Sequence, residues 1–216
     1  PALSTNAVVQ DDYQWNVSSD KIFTINLSAY FEDYEGSFVL YDRENNTWYV
    51  YDMEHAALRT SPDSTYKIYD ALFGLEEGII SPEDSLLAWD KTTYPFAAWN
   101  DNQDLYSAMQ HSVNWYFEEL DERLGAPAVR DYVHAIGYGN ECVRFGNRAY
   151  WLQSSLKISP VEQVQLLTDL YDNRFGFHAE NIAAVKQSIR LFSSENMQIY
   201  GKTGTGRVDG KDVNGW

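Results

Sequence analysis

Hydrophobic and polar positions alternate in two short runs, 37–41 (SFVLY) and 47–51 (TWYVY), on either side of Asn45-Asn46. Alternation of β-branched and aromatic residues around a turn-forming pair predicts an antiparallel hairpin. A breaker follows, Arg59-Thr60-Ser61-Pro62-Asp63, after which Ile68, Leu72 and Leu75 recur at helical spacing until Gly78. That pattern predicts a helix with Ser64 at its N-terminus. The stripe Met109, Val113, Tyr116 or Phe117, Leu120 and Leu124 predicts one helix over 105–124. Ser159-Pro160-Val161-Glu162 has the residues of a capping box with Pro at the first helical position, so a further helix begins there. Ile182, Val185 and Ile189 mark another over 179–191. The β pattern returns at 197–203, turns at Asp209-Gly210 and opens another strand at 213–216. Residues 1–20 are polar without a period and predict an extended leader with one edge strand.

The expected fold is therefore α+β in a single domain over 1–216. An antiparallel sheet built from both chain ends, 1–63 and 192–216, receives a mostly helical lobe, 64–191, as an insertion. A strand opening at the last residues leaves an uncovered edge, so a further C-terminal strand or strands and a helix are expected beyond Trp216.

Composition narrows the partners. The 216 residues carry a formal net charge of −16, which opposes a nucleic acid backbone or an anionic lipid surface. Hydrophobic residues make up 44% and aromatics 15%, enough to build a core and unlike a disordered acidic tail. The single cysteine, Cys142, allows no internal disulfide, and the four histidines are too dispersed to suggest a metal motif. Apolar runs of a few residues predict neither a membrane-spanning helix nor a signal peptide within this stretch, so any export signal or tether would lie upstream.

Candidate chemistry lies in three short motifs. In Ser64-Thr65-Tyr66-Lys67, a hydroxyl and an amine three residues apart share a helix face, with Cβ atoms about 5–6 Å apart, within reach of proton transfer. The helix N-terminus adds backbone N–H groups where an oxyanion or carboxylate would form. Lys202-Thr203-Gly204, on the returning strand, offers an ammonium and a hydroxyl to a substrate carboxylate, with Gly allowing close backbone approach. Ser112-Val113-Asn114 falls between them on the long predicted helix. Each motif alone also fits an ordinary cap, hairpin or helix surface, but their order is that of serine β-lactamases and penicillin-binding proteins.

With these motifs the chain resembles the penicillin-recognising serine transferases, and within them the class D β-lactamases. The resemblance spans about 30–216 and rests on STYK at 64–67, SVN at 112–114, Tyr138-Gly139-Asn140, YWLQSSLKISPVEQVQLL at 150–167 and GKTGTG at 201–206. In wording it is most similar to the extracellular penicillin-sensor domains of BlaR/MecR-type receptors of Gram-positive bacteria. The resemblance implies Ser64 as nucleophile, its acyl oxygen held by the N–H groups of Ser64 and Thr205, and Lys67 as general base, N-carboxylated by CO₂. It further implies Trp151 as apolar wall and indole donor to that carbamate, Ser112 as proton relay, and Lys202, Thr203 and Thr205 as binders of the antibiotic's carboxylate. The partners it implies are β-lactam antibiotics and the membrane-spanning and cytoplasmic parts of the same receptor, with no nucleic acid.

One departure separates sensor from hydrolase. Class D enzymes resemble S-x-V at the second motif, whereas this chain has Asn114. An amide beside Lys67 favours the ammonium and with it loss of CO₂ after acylation, which removes the base that activates water. The expectation is a β-lactam sensor with a long-lived acyl adduct, with a class D β-lactamase as the alternative. A carbohydrate-binding module using the abundant Trp and Tyr as stacking platforms is disfavoured by the three ordered motifs.

Overall fold

The computed structural model describes residues 21–146 and 149–216; the leader expected at 1–20 lies outside them. In chain order the elements are β1 (Ile22–Thr24), α1 (Ser28–Phe31), β2 (Phe38–Asp42), β3 (Thr47–Tyr51), α2 (Met53–Ala57), a 3-10 turn (Asp63–Tyr66), α3 (Lys67–Glu76), a second 3-10 turn (Ala97–Trp99), α4 (Leu105–Gln110), α5 (Asn114–Leu124), α6 (Ala126–Ala135), α7 (Pro160–Tyr171), α8 (Ala179–Ser188), β4 (Arg190–Ser193), β5 (Gln198–Tyr200), β6 (Thr205–Val208) and β7 (Lys211–Gly215). The architecture is α+β. Among the described residues no helix is long and apolar enough to cross a membrane.

The N-terminal hairpin forms as its alternation predicts, with Val39 opposite Val50 and Tyr41 opposite Trp48, and β1 adds to β3 in parallel. Trp48 and Val50 face α2 and α7 and bury themselves with Ala56 and Val161 in a small cluster of their own. The C-terminal hairpin turns at Asp209 and Gly210, both at positive φ, as a tight two-residue turn requires.

The strands of the two chain ends do not join in one sheet. Among the described residues they form three groups, β1-β3-β2, β4-β5 and β6-β7. Side chains at the end of β7 reach back to the breaker segment: the Asn214 amide and the Trp216 indole N–H each donate to the Ser61 carbonyl at 2.8 Å. The last hairpin is thus fastened to the breaker segment before Ser64. The Lys-Thr-Gly motif accordingly lies not on a strand but in the extended link between β5 and β6.

The stripe at 105–124 is interrupted. Asp104 caps α4 through a capping box with Ser107, the helix stops at Gln110, and Ser112 takes φ +54 before α5 begins at Asn114. Positive φ is uncommon outside Gly and cannot continue an α-helix. Val113, fully buried, keeps both helices on the same core, so the hydrophobic period runs through the break. The capping box at Ser159 forms as predicted, and its Glu162 also pairs with Arg59 at 2.6 Å, tying α7 to the breaker segment. The helix expected over 179–191 ends at Ser188, where β4 takes over.

The larger core gathers Leu72, Phe73, Phe117, Leu120, Val129 and Val133 from α3, α5 and α6, with α8 against α3. Burying each such side chain contributes about 1.5–3 kcal/mol, so this packing fixes α3 and α5 rigidly against each other. On the other side of α3, the Tyr138-Gly139-Asn140 corner pins residues 155–158. Asn140 donates to the Ser155 carbonyl at 3.0 Å, and its Oδ1 accepts from the Lys157 N–H at 2.9 Å. Gly139 has φ +52, and a Cβ there would stand 1.9 Å from the Lys157 carbonyl oxygen. Gly139→Ala is therefore expected to cost at least about 2 kcal/mol, given 1–3 kcal/mol for a left-handed non-Gly residue before the clash is added. For a chain of this size that lowers Tm by about 4–8 °C, measurable by calorimetry.

Candidate active site

Ser64 sits in the 3-10 turn leading directly into α3, so Lys67 is the first residue of the α-helix and lies one turn on, fully buried. The turn is anchored from three directions. Asp63, buried at φ +49, donates its N–H to the Trp151 carbonyl at 3.0 Å. Its carboxylate accepts from the Gln153 side-chain amide at 3.0 Å and from Asn214 at 3.0 Å. The Thr65 hydroxyl donates to the Pro62 carbonyl and accepts from Gln163 of α7, both at 2.7 Å. Gly206 of β6 passes so close that a Cβ there would meet the Gln153 amide at 1.9 Å.

Four oxygens surround the Lys67 amine. Nζ lies 3.1 Å from Ser64 Oγ, 2.7 Å from the Ser112 carbonyl, 3.1 Å from Ser112 Oγ and 2.6 Å from Asn114 Oδ1. The helix break creates this cage, because the positive φ of Ser112 turns both its carbonyl and its hydroxyl toward Lys67 while Asn114 opens α5 alongside. The rings of Phe117 and Trp151 stand 5.3 and 5.2 Å from Nζ. Burial and the nearby Lys202 ammonium push the Lys67 pKa well below its ordinary value, while Asp70 and Glu118 pull the other way. Lys202 reaches in from the β5–β6 link, donating to Ser112 Oγ at 3.0 Å and to the Thr203 carbonyl at 2.9 Å. Burial pushes its pKa down to about 8. Ser112 Oγ thus bridges the two lysines.

Above this constellation opens a cleft of about 620 Å³, lined by Ser64, Ser112, Asn114, Thr203 and Thr205, with Phe96, Trp99 and Leu152 as apolar wall. The structure therefore brings together Ser64, Lys67, Ser112, Asn114, Lys202, Thr203 and Thr205 from three separate stretches of chain. Trp151 is present but differently employed: its indole N–H, expected to face Lys67, donates to Asp121 Oδ2 at 3.2 Å. The Lys67 neighbours Ser112 O and Asn114 Oδ1 are acceptors, suited to an amine or ammonium. Asp63, Gln153 and Glu118 also shape the site, and no sequence motif marks them; an acid or amide isolated in sequence carries no sign of the distant partner that it meets.

The family model described as penicillin binding protein transpeptidase domain matches residues 36–216. The methicillin resistance mecR1 protein of Staphylococcus aureus is 42% identical over all 216 residues, and the chain spans 36% of that relative's length. Among solved structures, the C-terminal domain of the Bacillus licheniformis BlaR penicillin-receptor is 42% identical with a TM-score of 0.84, covering 88% of this chain and 78% of that one. The class D β-lactamase BAT-2 is 35% identical with a TM-score of 0.80, covering 84% and 76%. A serine and a buried lysine one helical turn apart, met by a second serine from a helix break and a second lysine from the β5–β6 link, is an arrangement set in a shared fold, and the chain belongs to the penicillin-binding protein transpeptidase domain family.

Proposed function

We propose that this chain is the β-lactam-sensing domain of a receptor, acylated at Ser64 to give an adduct that persists and serves as the signal. The observation that carries the reading is the 2.6 Å contact of Lys67 Nζ with Asn114 Oδ1. In the acylation step the Ser64 hydroxyl gives its proton to the neutral Lys67 amine as Oγ bonds to the lactam carbonyl carbon. The N–H groups of Ser64 and Thr205 hold the developing oxyanion. The lactam C–N bond then breaks, and the proton passes from Lys67 through Ser112 Oγ to the leaving nitrogen. Lys202, Thr203 and Thr205 hold the antibiotic's carboxylate, the Lys202 ammonium by charge.

Deacylation needs a base for water. With Ser64 esterified, Asn114 Oδ1 and the Ser112 carbonyl both accept from Lys67 and favour its ammonium, which cannot take a proton. The rest of the receptor would comprise membrane-spanning and cytoplasmic parts, with this domain on the extracellular face of the cytoplasmic membrane of a Gram-positive cell. A class D β-lactamase is the second reading, favoured by the lowered pKa of Lys67, which equips it as a base.

The two readings part on turnover. Excess chromogenic cephalosporin should give a single stoichiometric burst of colour; continuous colour would establish a hydrolase. Asn114→Val removes the acceptor and should shorten the acyl lifetime, followed by intact-mass spectrometry, by about tenfold or more. Tenfold corresponds to about 1.4 kcal/mol, within what one hydrogen bond to a charged group supplies. An unchanged lifetime would take Asn114 out of the explanation.

A further inference from the structure

Asp63 immediately precedes Ser64 and is fully buried, and its carboxylate is met from two other parts of the fold. The Gln153 side-chain amide spans both oxygens, at 3.2 and 3.0 Å, and the Gln153 backbone N–H donates to Oδ1 at 3.3 Å. Oδ2 also accepts from Asn214 of β7 at 3.0 Å. The same Asn214 nitrogen donates to the Ser61 carbonyl, which can only accept, so the amide turns its NH₂ toward both groups. Each of these partners of the carboxylate is a donor, as an ionised acid requires. Burial raises the Asp63 pKa, while the Asn214 and Gln153 hydrogen bonds and the Lys157 charge draw it back.

The carboxylate also lies against the segment that carries Thr205. A Cβ on Gly206 would stand 2.7 Å from Asp63 Oδ2, and one on Gly204 3.0 Å from the Pro62 carbonyl oxygen. On both sides of Thr205, then, the chain packs directly on the Pro62-Asp63 step. Gly204 and Trp216 exchange both backbone hydrogen bonds, at 3.3 and 2.9 Å, and the next pair is Thr205 opposite Gly215. Bonded and non-bonded pairs alternate along an antiparallel ladder, so at Thr205 the N–H points away from β7. Thr205 lines the cleft together with Ser64. Asn214 stands opposite Gly206, so its bond to Asp63 acts one residue from Thr205.

We infer that Asp63 is a positioning residue: its carboxylate ties the Ser64 turn to β6 and β7 and so holds the N–H groups of Ser64 and Thr205 at the spacing at which both reach one oxyanion. The inference rests on the reading of Ser64 as the acylated residue. Two N–H groups from segments far apart in sequence share an oxygen only if those segments cannot slide past each other. The Trp216 indole fastens the hairpin at Ser61, three residues before Ser64, whereas Asp63 fastens it at the residue next to Ser64. Asp63 takes φ +49, a conformation open to Asp and most open to Gly. The turn by itself would accept Gly; the tie requires the carboxylate.

Two variants separate turn from tie. Asp63→Gly keeps the left-handed turn and removes the carboxylate; Asn214→Ala removes the hairpin's hold on it and leaves residue 63 as it is, with the Trp216 indole still on Ser61. Two quantities are read with benzylpenicillin. One is the acylation rate constant, separated from the dissociation constant of the initial complex; the other is the infrared carbonyl stretch of the acyl ester, which falls in wavenumber when N–H groups bond that oxygen. In both variants the stretch should rise and acylation should slow by about tenfold to a hundredfold, the cost of a misplaced reacting group, with the dissociation constant unchanged. Loss of folded protein alone would lower the amount labelled and move neither quantity. A stretch or a rate constant at its wild-type value in both variants overturns the inference. So does a change in only one of them: in Asp63→Gly alone it would come from backbone freedom at residue 63, and in Asn214→Ala alone from another contact of Asn214. If Asp63→Gly does not fold, Asn214→Ala decides by the same two quantities. Failure of benzylpenicillin to label the wild type would instead refute the functional reading.

Discussion

Ser64→Ala is expected to abolish the covalent adduct with benzylpenicillin. In the wild type the intact mass should rise by one whole drug molecule, because opening the lactam ring expels no atoms. Two other hydroxyls lie close enough to be tested as substitutes. Thr65 is committed, donating to the Pro62 carbonyl and accepting from Gln163. Ser112 Oγ, 3.1 Å from Lys67 and 3.0 Å from Lys202, is better placed, yet it sits between the two lysines as a relay. Peptide mapping after labelling should therefore find the adduct on Ser64 in the wild type and nowhere in the variant. An adduct on Ser112 in Ser64→Ala would reassign the nucleophile. The fold should survive the change, since the loss is one hydroxyl hydrogen bond, worth about 1 kcal/mol.

What the sequence discloses and what it hides divide by distance along the chain. The hairpin around Asn45-Asn46, the Asp209-Gly210 turn and the capping box at Ser159 are decided by residues within a few positions, and each forms as the local pattern predicts. The break at Ser112 is hidden because hydrophobic period reports which face is buried, and α4 and α5 bury the same face on both sides of it. A single positive φ leaves no trace in that period. The fastening of the C-terminal hairpin to the breaker segment is equally hidden, since it depends on Asn214 and Trp216 reaching Ser61, more than 150 residues away in sequence.

The candidate site follows the same division. Ser64, Lys67, Ser112, Asn114 and Lys202 are legible because their motifs are short and ordered, and the structure brings them within 3.1 Å contacts of one another. Their supports are not. Asp63 and Asp121 look like surface acids in a chain with net charge −16, and only the packing of Gln153, Asn214, Tyr150 and Trp151 onto them shows otherwise. Trp151 is a wall of the lysine pocket as expected but not its donor, because the residue type fixes the ring while the partner fixes the N–H.

Lys67→Ala is expected to slow acylation by about 10²–10⁴, the range for a lost general base. Two features favour Lys67 over Lys202 as the proposed base. Its Nζ is 3.1 Å from Ser64 Oγ, whereas Lys202 reaches Ser64 only by way of Ser112. Burial and the Lys202 charge also push its pKa well below its ordinary value, which equips it to take the Ser64 proton. The pH dependence of acylation at low drug concentration should accordingly be bell-shaped. It rises as Lys67 loses its proton and falls as Lys202 loses its own near about 8, because only the ammonium holds the antibiotic's carboxylate. In Lys67→Ala the rising limb should disappear and the falling limb remain, a pattern that damage to the fold alone would not produce. If instead Lys67→Ala keeps the wild-type rate while Lys202→Ala removes the rising limb, the two lysines have exchanged roles, and the 2.6 Å contact of Asn114 with Lys67 no longer explains a persistent adduct.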